Sequence, residues 1–170
     1  MSRSHIFVVV YGKYDKAEAA IGKIRDSGFD VKRLSLLGAD YRRDRLVGRY
    51  RSSDGTRYWE NLNSLSSGVW SQLSGVAFFH IPDMGPFLVG GPLASAIIGS
   101  LEGSNSIKGL GPIGSGLYIL GIAKTYVPKY EKAVQADNYL VIVPGTDEQI
   151  ANVKSVVKMT DFLEFDLHQI

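Results

Sequence analysis

The chain contains no cysteine. That excludes a disulfide framework, a thiolate zinc site and a cysteine nucleophile, and it fits a reducing compartment such as the cytosol. Charge is scarce in the middle. Met1 to Glu60 holds 13 Lys and Arg against 8 Asp and Glu, and Lys124 to Ile170 holds 5 against 7. Between Asn61 and Ala123 only Asp83, Glu102 and Lys108 are charged. Long hydrophobic runs are missing too. The first, in MSRSHIFVVVYGKYDKAE, lasts about six residues before charge returns, too short for a signal-peptide core. The uncharged stretch Gly85–Leu101 carries Pro86 and Pro92 and falls short of the roughly 20 apolar residues that a membrane helix needs.

Chemistry-bearing patterns are equally thin. GLGPIGSG has no lysine in a Walker position, and GKYDKAE lacks the GxGxxG spacing. His5, His80 and His168 stand far apart, without an HExxH or carboxylate pattern for a metal. His5 and His168 are expected near one another at a sheet end, on solvent-facing positions, and His80 as a hydrogen-bonding core or interface residue. The expectation is a protein that is not an enzyme, with no catalytic residue, no cofactor, no metal and no identified small-molecule substrate.

What is present is an ordinary globular composition, 45% apolar and 21% charged over 170 residues, enough for one domain with a real core. HIFVVVYG reads as a buried strand. YDKAEAAIGKIRDSGFD reads as a helix with Asp15 as N-cap and Glu18 completing a capping box, Ala17, Ala20, Ile21 and Ile24 inward, and Gly28 at its end. VKRLSLLG, residues 31–38, is the next strand. The C-terminal part repeats this grammar. NYLVIVPG is a strand, Thr146 caps a helix with Ile150, Val153, Val156 and Val157 inward, and DFLEFDLHQI alternates Phe162, Glu164, Asp166 and His168 against Leu163, Phe165 and Leu167. Two such halves predict an α+β fold, a ferredoxin-like split β-α-β sandwich of four strands with two helices on one face. The predicted divisions are 1–40 for the first half, 41–60 for a basic loop or β-ribbon, 61–123 for a glycine-rich apolar helical insertion between strands 2 and 3, and 124–170 for the second half.

Within that insertion, Asp54-Gly55 signals a hairpin. Leu62, Leu65, Val69, Leu73 and Val76 recur at helical steps up to Pro82, and further helices are expected from Pro92 and Pro112. YVPKYEKAVQADN predicts a short charged helix. The segment 58–103 and the stretch GPIGSGLYILGIAKTYVPKYEKAVQADNYLVIVPGT resemble the bacterial general stress protein family, whose members carry a domain of unknown function and are often labelled membrane proteins or permeases. The residues carrying the resemblance are an FFxIPxxGP turn, GGPL opening a small-residue helix, and GI before a helix holding Tyr130 and Glu131. Asp83-Met84 departs from the glycine and aliphatic residue expected in that turn. The resemblance implies a stress-associated role and no catalytic residue.

Ten of the nineteen glycines lie between Gly85 and Gly121, and Gly91, Ser95 and Gly99 are four apart, a spacing that lets helix backbones approach. A helix apolar all round must be covered on every side, and a four-stranded sheet is too small to do so. The expected role is therefore self-assembly, as a ring or filament, with the insertion packed between copies. The predicted contact residues are Trp70, Phe78, Phe79, Phe87, Leu88, Gly90 and Gly91, continuing through Leu93, Ser95, Ile98, Gly99, Ile113 and Leu117. The alternatives are a membrane-associated protein whose hairpin contacts or spans the bilayer, and a small-ligand sensor with a cleft between sheet and insertion. Arg42, Arg43, Arg45, Arg49 and Arg51 form a possible contact for an anionic partner such as a membrane surface. Nucleic acid is not expected, because the strands lack the aromatic signature of an RNA-binding sheet.

Overall fold

The computed structural model describes residues 4–40, 50–51, 55–60, 62, 68–103 and 107–170. It is a mixed α+β fold built on one antiparallel sheet. The strands are β1 (Ser4–Tyr11), β2 (Ser35–Ala39), β3 (Tyr50–Arg51), β4 (Arg57–Trp59), β5 (Val76–Ile81), β6 (Gly85–Gly90), β7 (Tyr139–Thr146) and β8 (Glu164–Gln169), in the spatial order β3-β4-β5-β6-β2-β7-β1-β8. The helices are α1 (Tyr14–Asp26), α2 (Pro92–Leu101), α3 (Pro112–Leu120), α4 (Val127–Gln135) and α5 (Asp147–Val157).

Alternation along β1 sorts the core into two layers. Phe7, Val9 and Tyr11 point to one face, where Ala17, Ala20, Ile21 and Ile24 of α1 and Ile150, Val153, Val156 and Val157 of α5 cover them. Ile6, Val8 and Val10 point to the other, under Leu93 and Ile97 of α2, Ile113 and Leu117 of α3, and Val127, Tyr130 and Val134 of α4. Helices thus lie on both faces. The strand pattern reflects it: β1, β6 and β7 are near-continuous apolar runs, as strands buried on two sides are.

Local signals in the outer segments act largely as their chemistry dictates. Thr146 accepts from the Gln149 N–H at 3.3 Å and the Gln149 side chain accepts from the Thr146 N–H at 3.0 Å, a complete capping box at α5. Helix α1 differs from expectation. It begins two residues earlier, its N-cap is Lys13, and no side chain caps it; Asp15 sits inside the first turn, where its charge complements the helix dipole. Residues Val31–Arg33 form a 3-10 turn, so β2 starts only at Ser35.

The centre is where expectation fails. Helices α2 and α3 start at Pro92 and Pro112 as read from the sequence, but the described residues 68–90 before them hold a 3-10 segment and two strands instead of a helix. Leu62, Val69, Trp70, Leu73 and Val76 do share the α1 face, with Val69 and Trp70 in a 3-10 segment at Gly68–Gln72 and Val76 opening β5; Leu65 lies outside the described residues. VAFFHI and GPFLVG are the paired strands β5 and β6, closed by the IPDMG turn with Ile81 opposite Gly85. Asp83 takes φ 68° there, a left-handed conformation that aspartate tolerates better than most residues. The apolar run was silent about strand against helix because both faces of these strands are buried. Strand β4 pairs with β3 and β5, so a β-ribbon is present at the far edge, while Asp54 of its turn lies outside the described residues.

Among the described residues no helix is long and apolar enough to cross a membrane. The stretch Gly85–Ser100 is divided between a strand and the ten-residue α2, which is about 15 Å long against a hydrocarbon core of about 30 Å.

Candidate functional site

The residues expected to join copies lie mostly inside one copy. Trp70, Phe78 and Leu88 belong to the layer under α1, with Trp70 stacked on Tyr14 at 6.3 Å between ring centroids. Phe79, Phe87, Leu93, Ile113 and Leu117 are buried in the layer under α2–α4. A side chain at Gly90 would strike Leu73, and one at Gly91 would strike the Leu34 carbonyl oxygen. Only Ser95 is exposed, with Ile98 and Gly99 half-buried. The surface accounting that required other copies assumed four strands. Eight strands and three helices from 92–135 cover the apolar block within the chain. Arg42, Arg43, Arg45 and Arg49 lie outside the described residues, and Arg51 pairs with Arg57 across β3 and β4.

Exposed apolar side chains concentrate elsewhere. The large ones among the described residues are Tyr118, Ile119, Tyr126, Met159, Leu163, Leu167 and Ile170, the last three 60%, 48% and 70% accessible. Leu163, Leu167 and Ile170 flank or lie on β8, and Met159 is in the loop entering it. Tyr126 sets its ring edge-on to His168 at 4.5 Å. Tyr118 and Ile119 end α3, whose following residue Gly121 touches Ile170. Leu163, Leu167 and Ile170 thus border the edge of the sheet where β8 has a strand neighbour, β1, on one side only, and Tyr126 packs beside them on His168.

The inner side of that edge is polar. Helix α4 sets Lys129 and Tyr130 over β8. The Lys129 ammonium donates to Asp166 at 2.5 Å and lies 3.4 Å from Glu164. The Tyr130 hydroxyl meets Asp166 at 3.1 Å and His168 Nε2 at 2.6 Å. A hydroxyl has one proton. When it goes to Asp166, His168 is the Nε2–H tautomer and donates to the tyrosine oxygen. Burial lowers the His168 pKa, against the pull of Asp166, so the ring is neutral near pH 7. Burial also raises Tyr130 far above its ordinary value, and the neighbouring carboxylates add to it. Burial pushes Asp166 up, but the bonds from Lys129 and Tyr130 and the lysine charge outweigh it and hold the carboxyl low.

This arrangement corrects the sequence reading of β8. His168 is 6% accessible and Leu167 faces solvent, the reverse of what the alternation predicts at these two positions, while Glu164 is exposed and Phe165 packs on the core as expected. The cause is tertiary: α4 lies over the Asp166–His168 side. His5 is also buried, its Nε2 bonded to Asp147 of α5. Since Ile6, not His5, is opposite His168, the two histidines occupy opposite faces and do not meet. His80 is half-buried on β5, opposite Arg57 and Pro86. Among the described residues no cluster of three His, Asp or Glu is arranged to hold a metal ion.

Two cavities lie near this edge. One of about 380 Å³ is lined by Gly121, Ala123, Tyr126, Leu167, His168 and Gln169. The other, of about 240 Å³, lies at the end of the sheet where β1 starts and β7 ends, between the strands and the helices α2 and α3. Comparison with known proteins finds no matching family model, no matching curated protein and no matching solved structure.

Proposed function

We propose that this chain is a non-catalytic, self-associating interaction protein whose copies join through the β8 edge rather than through the glycine-rich insertion. The observation that carries the proposal is the exposure of Leu163, Leu167 and Ile170 on and beside β8, a strand with a neighbour on one side only. Edge strands are templates for pairing, and proteins that remain monomeric usually blunt them with charge, proline or a covering element. Here Lys129, bonded to Asp166 and 3.4 Å from Glu164, offsets one of the two negative charges of β8. An antiparallel β8–β8 contact is isologous and closes at two copies. It extends the sheet and buries Leu163, Leu167 and Ile170.

The order β2-β7-β1-β8, with α1 and α5 on one face, supports reading these four strands as a ferredoxin-like unit into which 41–123 is inserted; the insertion then widens the sheet on the side away from β8. The resemblance to bacterial general stress proteins supplies the stress-associated setting.

Light scattering on a detergent-free size-exclusion peak at about 100 µM tests the proposal, comparing the natural chain with Leu167→Lys. The expected result is a dimer mass for the natural chain and a monomer mass for the variant, with the same circular dichroism. A monomeric natural chain, or an unchanged mass for Leu167→Lys, overturns the proposal.

A further inference from the structure

Apart from the open edge, the cavity of about 240 Å³ at the sheet end has the make-up of a ligand site. Its walls are aliphatic: Ile6 and Ile142 from the strands, Pro144 at the end of β7, Leu120 from α3 and Ile170. Of its polar groups, His5 is bonded to Asp147 and the Thr146 hydroxyl accepts from the Gln149 N–H, which leaves Ser4, Arg33 and Ser35. Arg33 and Ser35 both line it. Arg33 ends the 3-10 turn and Ser35 opens β2, while Leu34 between them belongs to the layer under α1. Among the described residues Arg33 has no carboxylate partner, and its guanidinium lies 5.7 Å from the Phe29 ring centre. Ser35 is 2% accessible and accepts from the Leu93 N–H at 3.0 Å. That bond uses an oxygen lone pair and leaves the hydroxyl proton available to donate. No Asp or Glu lines the cavity.

We infer that this cavity binds a small amphipathic carboxylate, its head held by Arg33 and the Ser35 hydroxyl and its aliphatic body against Ile6, Ile142, Leu120 and Pro144. A guanidinium and a hydroxyl proton on the wall of a largely aliphatic slot define the chemistry. A guanidinium offers a planar fork to a carboxylate, a buried hydroxyl proton rewards an acceptor, and the remaining walls reward methylenes. A neutral alcohol offers one uncharged oxygen in place of a charged pair, and a short anion leaves the walls empty.

The test is a titration followed by backbone amide chemical shifts at constant ionic strength, with sodium octanoate as probe and octan-1-ol and sodium acetate as comparators. Octanoate is expected to move the Ser35, Leu93 and Thr146 amides saturably and to bind at least about tenfold more tightly than either comparator. Arg33→Ala, at an exposed side chain that the fold does not need, is expected to weaken octanoate by about tenfold or more. Leu120→Trp is expected to block it by filling the slot. The inference is overturned if octanoate gives no saturable shift, if octan-1-ol binds as well, or if Arg33→Ala binds octanoate unchanged. It is also overturned if the shifts centre on Leu163 and Leu167, which would place the probe on the β8 edge.

Discussion

Two stretches of this chain invert what their hydropathy suggests. Gly85–Ser100 has no charge, and it is the part that reads most like a membrane segment or an interface, yet it is largely interior. Phe87, Leu88, Val89, Leu93 and Ile97 are all buried within one copy. Glu164–Gln169 has two acids and a histidine and reads like a wet edge, yet it exposes Leu167, is flanked by exposed Leu163 and Ile170, and hides His168. The difference teaches that exposure follows the number of covered sides. The first stretch crosses a sheet with helices above and below. The second is the last strand, with a neighbour on one side only.

The comparison breaks most violently at Gly91. Its φ of 89° and its contact with the Leu34 carbonyl leave no room for a side chain. Gly91→Leu is expected to cost more than about 4 kcal/mol and to yield no folded chain by circular dichroism; a folded variant that merely fails to associate would restore the insertion as an interface. Phe79→Ala, in the same interior, should lower the denaturant-unfolding free energy by about 3–5 kcal/mol without changing the native mass.

Smaller effects are expected at the β8 edge. Tyr130→Phe leaves Asp166 and His168 without their shared hydroxyl and should cost about 1–3 kcal/mol. The His168 ring has its folded pKa below the ordinary value, so the unfolded chain takes up the proton first. Its contribution to stability is complete above about pH 6.5 and declines as pH falls through the window below it. Thermal unfolding between pH 7.5 and 5 should therefore fall more steeply for the natural chain than for His168→Gln; parallel curves would remove His168 as the cause. The smallest expected change in stability is for Leu167→Lys, within about 0.5 kcal/mol at low protein concentration, because that side chain is already largely in water.

Much of the outer fold was legible from single residues. Ala17, Ala20, Ile21 and Ile24 mark the inner face of α1, Thr146 and Gln149 the start of α5, and Pro92 and Pro112 the starts of α2 and α3. Strands β5 and β6 were illegible as strands because burial on both faces erases the two-residue period. The polar cluster was illegible as a cluster. Lys129 and Tyr130 are some 36 residues from Asp166 in sequence, and only the packing of α4 over β8 brings them together. Likewise, the Arg33 and Ser35 pair had no signal beyond ordinary residues on either side of a leucine.

By itself, then, the sequence determined the α+β class, the outer helices and strands and the near-absence of charge in the centre, because these rest on local propensity, capping and periodicity. Only the tertiary structure decided that the central block widens the sheet instead of standing apart from it, and that the exposed apolar surface lies along β8. The physical reason is that burial is a property of neighbours, and the neighbours of β5, β6 and β8 come from distant parts of the chain.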